Sequence, residues 1–108
     1  MNKPEFKDDW KEAVSGIVSA VFDLTAFVSA TFTLKDGGDA LRVRAVEIKD
    51  ETLWQFNEGS NSENLPRTDA SRRLRDFLFW RPVNEAHVLT SDCDYHYRVT
   101  KKGRVLFS

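Results

Sequence analysis

The chain has little of what cofactor sites and secreted folds require. Cys93 is the only cysteine among 108 residues, so no intramolecular disulfide can form and a reducing, cytoplasmic setting is expected. The few glycines form neither a dinucleotide fingerprint nor a phosphate loop; they are Gly16, Gly37, Gly38, Gly59 and Gly103. We therefore expect no cofactor, S-adenosylmethionine included.

Long hydrophobic runs are also missing. The longest strongly apolar run, Gly16 to Phe22, is far shorter than the roughly 20 residues of a membrane span, and the N-terminus lacks the pattern of a signal peptide. No membrane partner is therefore expected. With 41% hydrophobic and 31% charged residues, the sequence is typical of one globular domain over residues 1–108.

Charge is unevenly distributed along the chain, although its sum is only −1. Residues 1–64 contain seven basic and twelve acidic side chains, whereas residues 65–108 contain nine basic and five acidic. A basic C-terminal half is suited to a polyanion such as RNA. The same imbalance would also arise if the two halves attract each other across the fold, and the sequence leaves both interpretations open.

The first half predicts a helix followed by a hairpin. Apolar residues recur at spacings of three and four from Phe6 to Val21, which indicates one buried helical face. Two β-prone stretches, Ala26 to Lys35 and Leu41 to Ile48, flank a Gly-rich reversal. Arg42 and Arg44 should share a solvent face, and the change of phase after them predicts a bulge near Ala45.

The second half predicts one strand, a helix and three more strands. Thr52 to Asn57 alternates as a third strand and is followed by a polar loop from Glu58 to Glu63. Pro66 favours a helix start, and the apolar stripe continues to about Trp80. Three short strands follow, at Ala86 to Ser91, Tyr95 to Thr100 and Arg104 to Phe107. The fold class is therefore α+β, with the order α-β-β-β-α-β-β-β.

One short segment gathers reactive residue types. Asp92 to His96 contains a thiol, two carboxylates and an imidazole, which could form a nucleophile or, together with His87, part of a metal site. A zinc site would need a distant fourth ligand, and no Ser/His/Asp arrangement is recognisable. We interpret the segment as a β-turn and the chain as non-catalytic, with no metal; the roles of Cys93 and His96 stay open.

Basic residues form the second candidate feature. They are Arg72, Arg73 and Arg75 on the second helix, and Arg98, Lys101, Lys102 and Arg104 around the last hairpin. With Tyr95 and Tyr97 alternating nearby, a sheet face bearing cations and aromatic planes would suit single-stranded or looped RNA. Alternatively, Lys and Arg on a terminal hairpin protect an edge strand from aggregation.

Five stretches carry a resemblance to a known family. They are Leu41-Arg-Val-Arg-Ala-Val-Glu-Ile-Lys49, Trp54-Gln-Phe56, Glu63-Asn-Leu65, Ala70 with Leu74, and Asp94-Tyr95 through Val99-Thr-Lys-Lys-Gly-Arg-Val105. Through them the chain resembles the N-terminal region of a group of bacterial class I SAM-dependent methyltransferases, RNA methylases among them. The resemblance implies that any methyl transfer occurs outside this chain, in a catalytic domain of the same or another chain. It assigns no role to the matching residues Asn64, Asp94, Tyr95, Lys101, Lys102 and Gly103.

Two hypotheses follow for the function. The first is an accessory domain that holds an RNA or protein substrate for a methyltransferase partner, with a contact surface at Arg98, Lys101, Lys102 and Arg104. The second is a protein-interaction or dimerisation domain, in which Trp54, Phe56, Phe79 and Trp80 supply the contact. The sequence does not predict the oligomeric state.

Overall fold

A computed structural model describes residues 10–100 and 104–107 and the backbone of residues 5–7. Its described part contains two helices, Trp10–Val21 (α1) and Arg67–Trp80 (α2). The strands are Glu5–Lys7 (β1), Phe27–Leu34 (β2), Leu41–Ile48 (β3), Glu51–Glu58 (β4), Asn61–Leu65 (β5), Val83–Thr90 (β6), Asp94–Val99 (β7) and Val105–Phe107 (β8). The predicted α+β class is confirmed.

The strands form one antiparallel sheet in the order β1-β8-β7-β6-β2-β3-β4-β5. Neighbouring strands are mostly hairpin partners, as expected of antiparallel sheets. The exceptions are the pairing of β2 with β6, which joins the two halves of the chain, and the pairing of β1 with β8, which joins its first and last strands. β2 therefore lies in the middle of the sheet, with Phe32 opposite both Leu41 and Ala86.

Both helices pack on the same face of the sheet. Alternate strand residues are buried against them, as the period of two requires; among these are Ala30, Phe32, Leu34, Leu41, Val43, Trp54, Phe56, Ala86, Val88, Tyr97 and Val105. The helices contribute Ala13, Val14, Ile17, Val18, Val21, Ala70, Leu74, Phe77 and Leu78. The opposite face, here called the open face, has no helix among the described residues.

The indole groups of two tryptophans link the helices to each other and to the sheet by hydrogen bonds. Trp10 Nε1 donates to the carbonyl oxygen of Leu78 at 2.6 Å, so the start of α1 lies beside the end of α2. Trp54 Nε1 donates to the carbonyl oxygen of Val21 at 3.1 Å, which joins the end of α1 to β4. Each indole thus satisfies its only donor while its ring fills space under a helix.

The structure adds two strands to the predicted order. Helix α1 begins at Trp10 rather than Phe6, and residues 5–7 pair with β8 as β1. The predicted polar loop from Glu58 to Glu63 is instead the turn into edge strand β5, which pairs with β4. Gly59 has a φ of 59°, which permits this tight reversal. Neither strand shows apolar alternation, because β5 is polar and β1 has only three residues.

The predicted bulge near Ala45 is wrong. β3 and β4 pair without interruption from Leu41 with Glu58 to Ile48 with Glu51. The apolar alternation of β3 changes phase after Ala45 for another reason. The pairing of β3 with β2 ends at Arg44, and beyond that residue β3 pairs only with β4. The two-residue turn consists of Lys49 and Asp50, both with positive φ, as a type I′ hairpin turn requires.

Candidate nucleic-acid interface

A groove runs between α1 and α2 on the solvent side of the helical layer. It has a volume of about 590 Å³, and its walls carry apolar, hydroxyl and cationic side chains from both helices. They are Lys11, Val14, Ser15, Val18, Ser19, Phe22, Arg67, Ser71, Arg75 and Phe79. The α2 members recur every four residues, which aligns them on one side of the helix.

The arginines of α2, together with Arg81 directly after it, fall into two electrostatic groups. Towards β4 and β5, Arg73 donates to Glu58 at 2.8 Å and to Glu63 at 3.1 Å, and Arg81 donates to Glu58 at 3.0 Å. Hydrogen bonding to Arg73, followed by Arg81, lowers the pKa of Glu58 despite its partial burial. These four residues form the inner ion-pair cluster, in which most positive charge is neutralised.

The solvent side of the helices carries cations of the second group. Lys11, Arg67, Arg72 and Arg75 form no ion pair with any residue that the structure describes; we call these four the outer basic face. Arg67 lies with its Cζ 5.7 Å from the centre of the Phe22 ring, and the charged residues that line a second cavity of about 510 Å³ are Arg67, Arg72, Arg75 and one carboxylate, Asp76. This surface therefore retains a local positive charge that the overall net charge conceals.

Two large aromatic residues are exposed at the end of α2. Phe79 is 53% exposed and lines the groove together with Lys11 and Arg75. Trp80 is 83% exposed and, as the next residue, projects about 100° further around the helix. Phe79 is therefore part of the groove, whereas Trp80 lies on the flank nearer to the inner ion-pair cluster.

The structure corrects half of the predicted interaction surface. Trp54 is 2% exposed and Phe56 1% exposed, because their strand positions face the helices. The Phe22 ring packs 4.9 Å from Trp54 and the Arg73 guanidinium lies over Phe56. As core residues they offer no surface to a partner. Phe79 and Trp80 do lie on the surface, and their role stays a prediction.

The tyrosines of the last hairpin and Arg98 lie on opposite faces of the sheet. Arg98 lies on the open face opposite Glu85, and Arg104 is exposed just before β8. Tyr97 is buried on the helical side, where burial raises its pKa, and Tyr95 stacks on Phe107. The expected single face combining both tyrosines with Arg98 is therefore wrong, whereas the role of the cations stays a prediction. Lys101, Lys102 and Gly103 lie outside the described residues.

The segment from Asp92 to His96 does not converge on one centre. The Thr90 hydroxyl accepts from the backbone N–H groups of Asp92 and Cys93, so the first part is a hydrogen-bonded turn. Cys93 is exposed, and a hydrogen bond with it raises the pKa of Tyr95, whose side chain faces the helical side. His96 lies on the open face, where it contacts Glu85 at 3.1 Å.

The open face carries a second polar arrangement. His87 contacts Asp94, and the rings of His87 and His96 lie 5.6 Å apart. Within the described ranges, no group of three or more His, Cys, Asp or Glu side chains is placed to hold a metal ion. As predicted, Arg42 and Arg44 are both exposed, and Arg44 donates to Gln55 at 2.8 Å.

Sequence reasoning identified Arg72 and Arg75 but missed Lys11, Arg67 and the groove. One available signal was the spacing of four from Arg67 through Ser71 and Arg75 to Phe79. The contribution of Lys11 depends on how α1 packs against α2, which no local pattern reveals. None of the described helices is long and apolar enough to cross a membrane. Comparison with known protein families, curated proteins and solved structures finds no match to this chain.

Proposed function

We propose that this chain is a non-catalytic accessory domain that binds RNA, and that the outer basic face is the RNA-contacting surface. The observation that carries the proposal is the set of four cations, Lys11, Arg67, Arg72 and Arg75, which have no carboxylate partner in the described structure. Phosphates would neutralise them and release the counterions of the nucleic acid.

The surroundings of these cations also suit a nucleic-acid strand. Ser15, Ser19 and Ser71 line the groove between the charges, and serine hydroxyls commonly contact phosphate and sugar oxygens. By contrast, the inner arginines already have Glu58 and Glu63 as acceptors. Of the α2 arginines, only the outer ones can therefore bind phosphates without first breaking an ion pair in the described part of the chain.

RNA binding is tested by titrating a fluorescent single-stranded oligonucleotide at several salt concentrations. Replacing Arg67, Arg72 and Arg75 together by Gln should weaken binding and lower the salt slope by about 0.7 for each phosphate that is no longer neutralised. The matched control replaces Arg42, Arg44 and Arg98 by Gln, which removes the same charge from the open face. Equal weakening in both variants would contradict a site on the outer basic face.

A third variant addresses the last hairpin. Lys101→Ala with Lys102→Ala should leave the affinity nearly unchanged if the outer basic face is the main contact. If RNA affinity and salt slope fall in this variant alone, the RNA site is instead the predicted surface formed by Arg98, Lys101, Lys102 and Arg104. RNA that fails to bind even at low salt would contradict the proposed function altogether.

The link to a methyltransferase depends on the resemblance of residues 41–105. In this proposal the domain raises the local RNA concentration near a catalytic domain in the same or another chain. The test measures methylation of a bound RNA by a methyltransferase of the resembling group, with and without this domain fused to it. A lower KM with unchanged kcat is expected, because accessory binding increases substrate affinity without altering the chemical step.

One observation favours protein interaction as a second function. Trp80 is 83% exposed, and tryptophan is enriched among residues that dominate protein interfaces. If the chain associates with itself, sedimentation equilibrium should show a dimer that Trp80→Ala dissociates. A monomer throughout an accessible concentration range would exclude self-association through this residue.

A further inference from the structure

Phe79 occupies a position that a phosphate-binding surface alone does not explain. Its side chain is half exposed, although the two residues before it, Phe77 and Leu78, are buried in the core. It lines the groove at the end where Lys11 and Arg75 also lie. An exposed ring beside two cations without ion pairs can stack against a nucleobase whose phosphates contact those cations.

The length of the groove is sufficient for a short strand. Arg67 and Arg75 are separated by eight residues of α2, which corresponds to about 12 Å along the helix axis. This distance matches about three or four nucleotides of a stacked strand at roughly 3.4 Å each. Lys11 extends the line of charge on the α1 side of the same groove.

Duplex RNA is expected to bind this surface more weakly than a single strand. Its bases are paired and stacked inside, so none can reach the Phe79 ring, and recognition of duplex RNA depends on its shape and its phosphates and 2′-hydroxyls. The groove is concave and has an apolar floor formed by Val14, Val18 and Phe22. Unpaired bases can pack on such a floor, because every base has an apolar face.

We infer that the outer basic face selects single-stranded RNA, with one base stacked on Phe79 and its neighbouring phosphates held by Arg75 and Lys11. This inference rests on the proposed function and adds the form of the nucleic acid and the residue that distinguishes it. Phe79 then stacks against the base, whereas the cations bind the phosphates of the backbone.

The experiment compares an eight-nucleotide RNA with the same sequence in duplex form, using the full chain. Phe79→Ala should weaken binding of the single strand about tenfold, leave duplex binding unchanged and preserve the salt slope, because stacking carries no charge. Phe79→Trp should retain the affinity of the original chain for the single strand. Trp80→Ala is the matched control: it removes a more exposed ring from the same helix end and should leave affinity unchanged.

The outcomes separate this inference from the proposed function. Equal affinity for single strand and duplex, with no effect of Phe79→Ala, would overturn the stacking inference, whereas weaker binding by the Arg67, Arg72 and Arg75 variant would still support RNA binding. Binding to vesicles containing phosphatidylserine but to neither RNA would overturn both. Circular dichroism of each variant confirms that it is folded.

Discussion

Arginine and tryptophan each occur in two contrasting environments around the helices, one buried or ion-paired and the other exposed. On the inner side, Arg73 has carboxylate partners and Trp54 is enclosed by the sheet and α1. On the outer side, Arg72 lacks an ion pair within the described structure, and at the exposed end of α2 the Trp80 ring is mostly in solvent. Residue type alone therefore does not distinguish a structural arginine or tryptophan from one available to a ligand.

The largest expected effect comes from the inner tryptophan. Trp54→Ala should lower the free energy of unfolding by about 3–5 kcal/mol, because it leaves a cavity beside Phe22 and removes the hydrogen bond to Val21. Urea denaturation followed by circular dichroism measures this change. If the variant does not fold, Trp54→Phe provides a smaller truncation. A destabilisation below about 1 kcal/mol for Trp54→Ala would contradict its placement in the core.

Glu58→Gln should have the next largest effect. It removes the negative charge facing Arg73 and Arg81, and a destabilisation of about 1–2 kcal/mol is expected near neutral pH. Folding lowers the pKa of Glu58 from 4.5, so its charge contributes stability above pH 4.5. That contribution disappears as the pH falls through the folded-state value.

The pH dependence provides the check on Glu58. The difference in unfolding free energy between the original chain and Glu58→Gln should be largest above about pH 5 and should narrow progressively below pH 4.5. Urea titrations at several pH values measure it. A difference that stays constant through the acid range would show that the charge of Glu58 is not what stabilises the cluster.

Two adjacent arginines give the most direct comparison of the two sides. Arg73→Gln should cost about 1 kcal/mol, because it breaks the ion pairs with Glu58 and Glu63 and removes the guanidinium over Phe56. Arg72→Gln should change stability by less than about 0.5 kcal/mol. Thermal unfolding of both variants measures the difference. Equal effects would contradict the division between the inner cluster and the outer basic face.

The smallest expected effect belongs to Trp80. With 83% of its surface exposed, Trp80→Ala should alter the free energy of unfolding by less than about 0.5 kcal/mol. Urea denaturation in parallel with Trp54→Ala measures it under identical conditions. A destabilisation above about 2 kcal/mol that depends on protein concentration would instead indicate that Trp80 is buried in an oligomer.

Much of the fold could be predicted because local patterns encode it. The spacing of Val14, Ile17 and Val21 predicted α1, and the alternation of Leu41 and Val43 predicted β3. β5 was missed because an edge strand with polar residues on both faces lacks that alternation. The burial of Trp54 and Phe56 was also missed, since alternation indicates that two residues share a face but not which face is covered.

The helices, most of the strands and the α+β class follow from the sequence, because each depends on periodicities within a short segment. Which arginines are neutralised and which tryptophans are buried depends instead on tertiary contacts. The physical reason is that Arg73 meets Glu58, and Trp54 meets Val21, across 15 and 33 residues of chain. Such contacts depend on how the helices lie on the sheet, and so does the groove between α1 and α2.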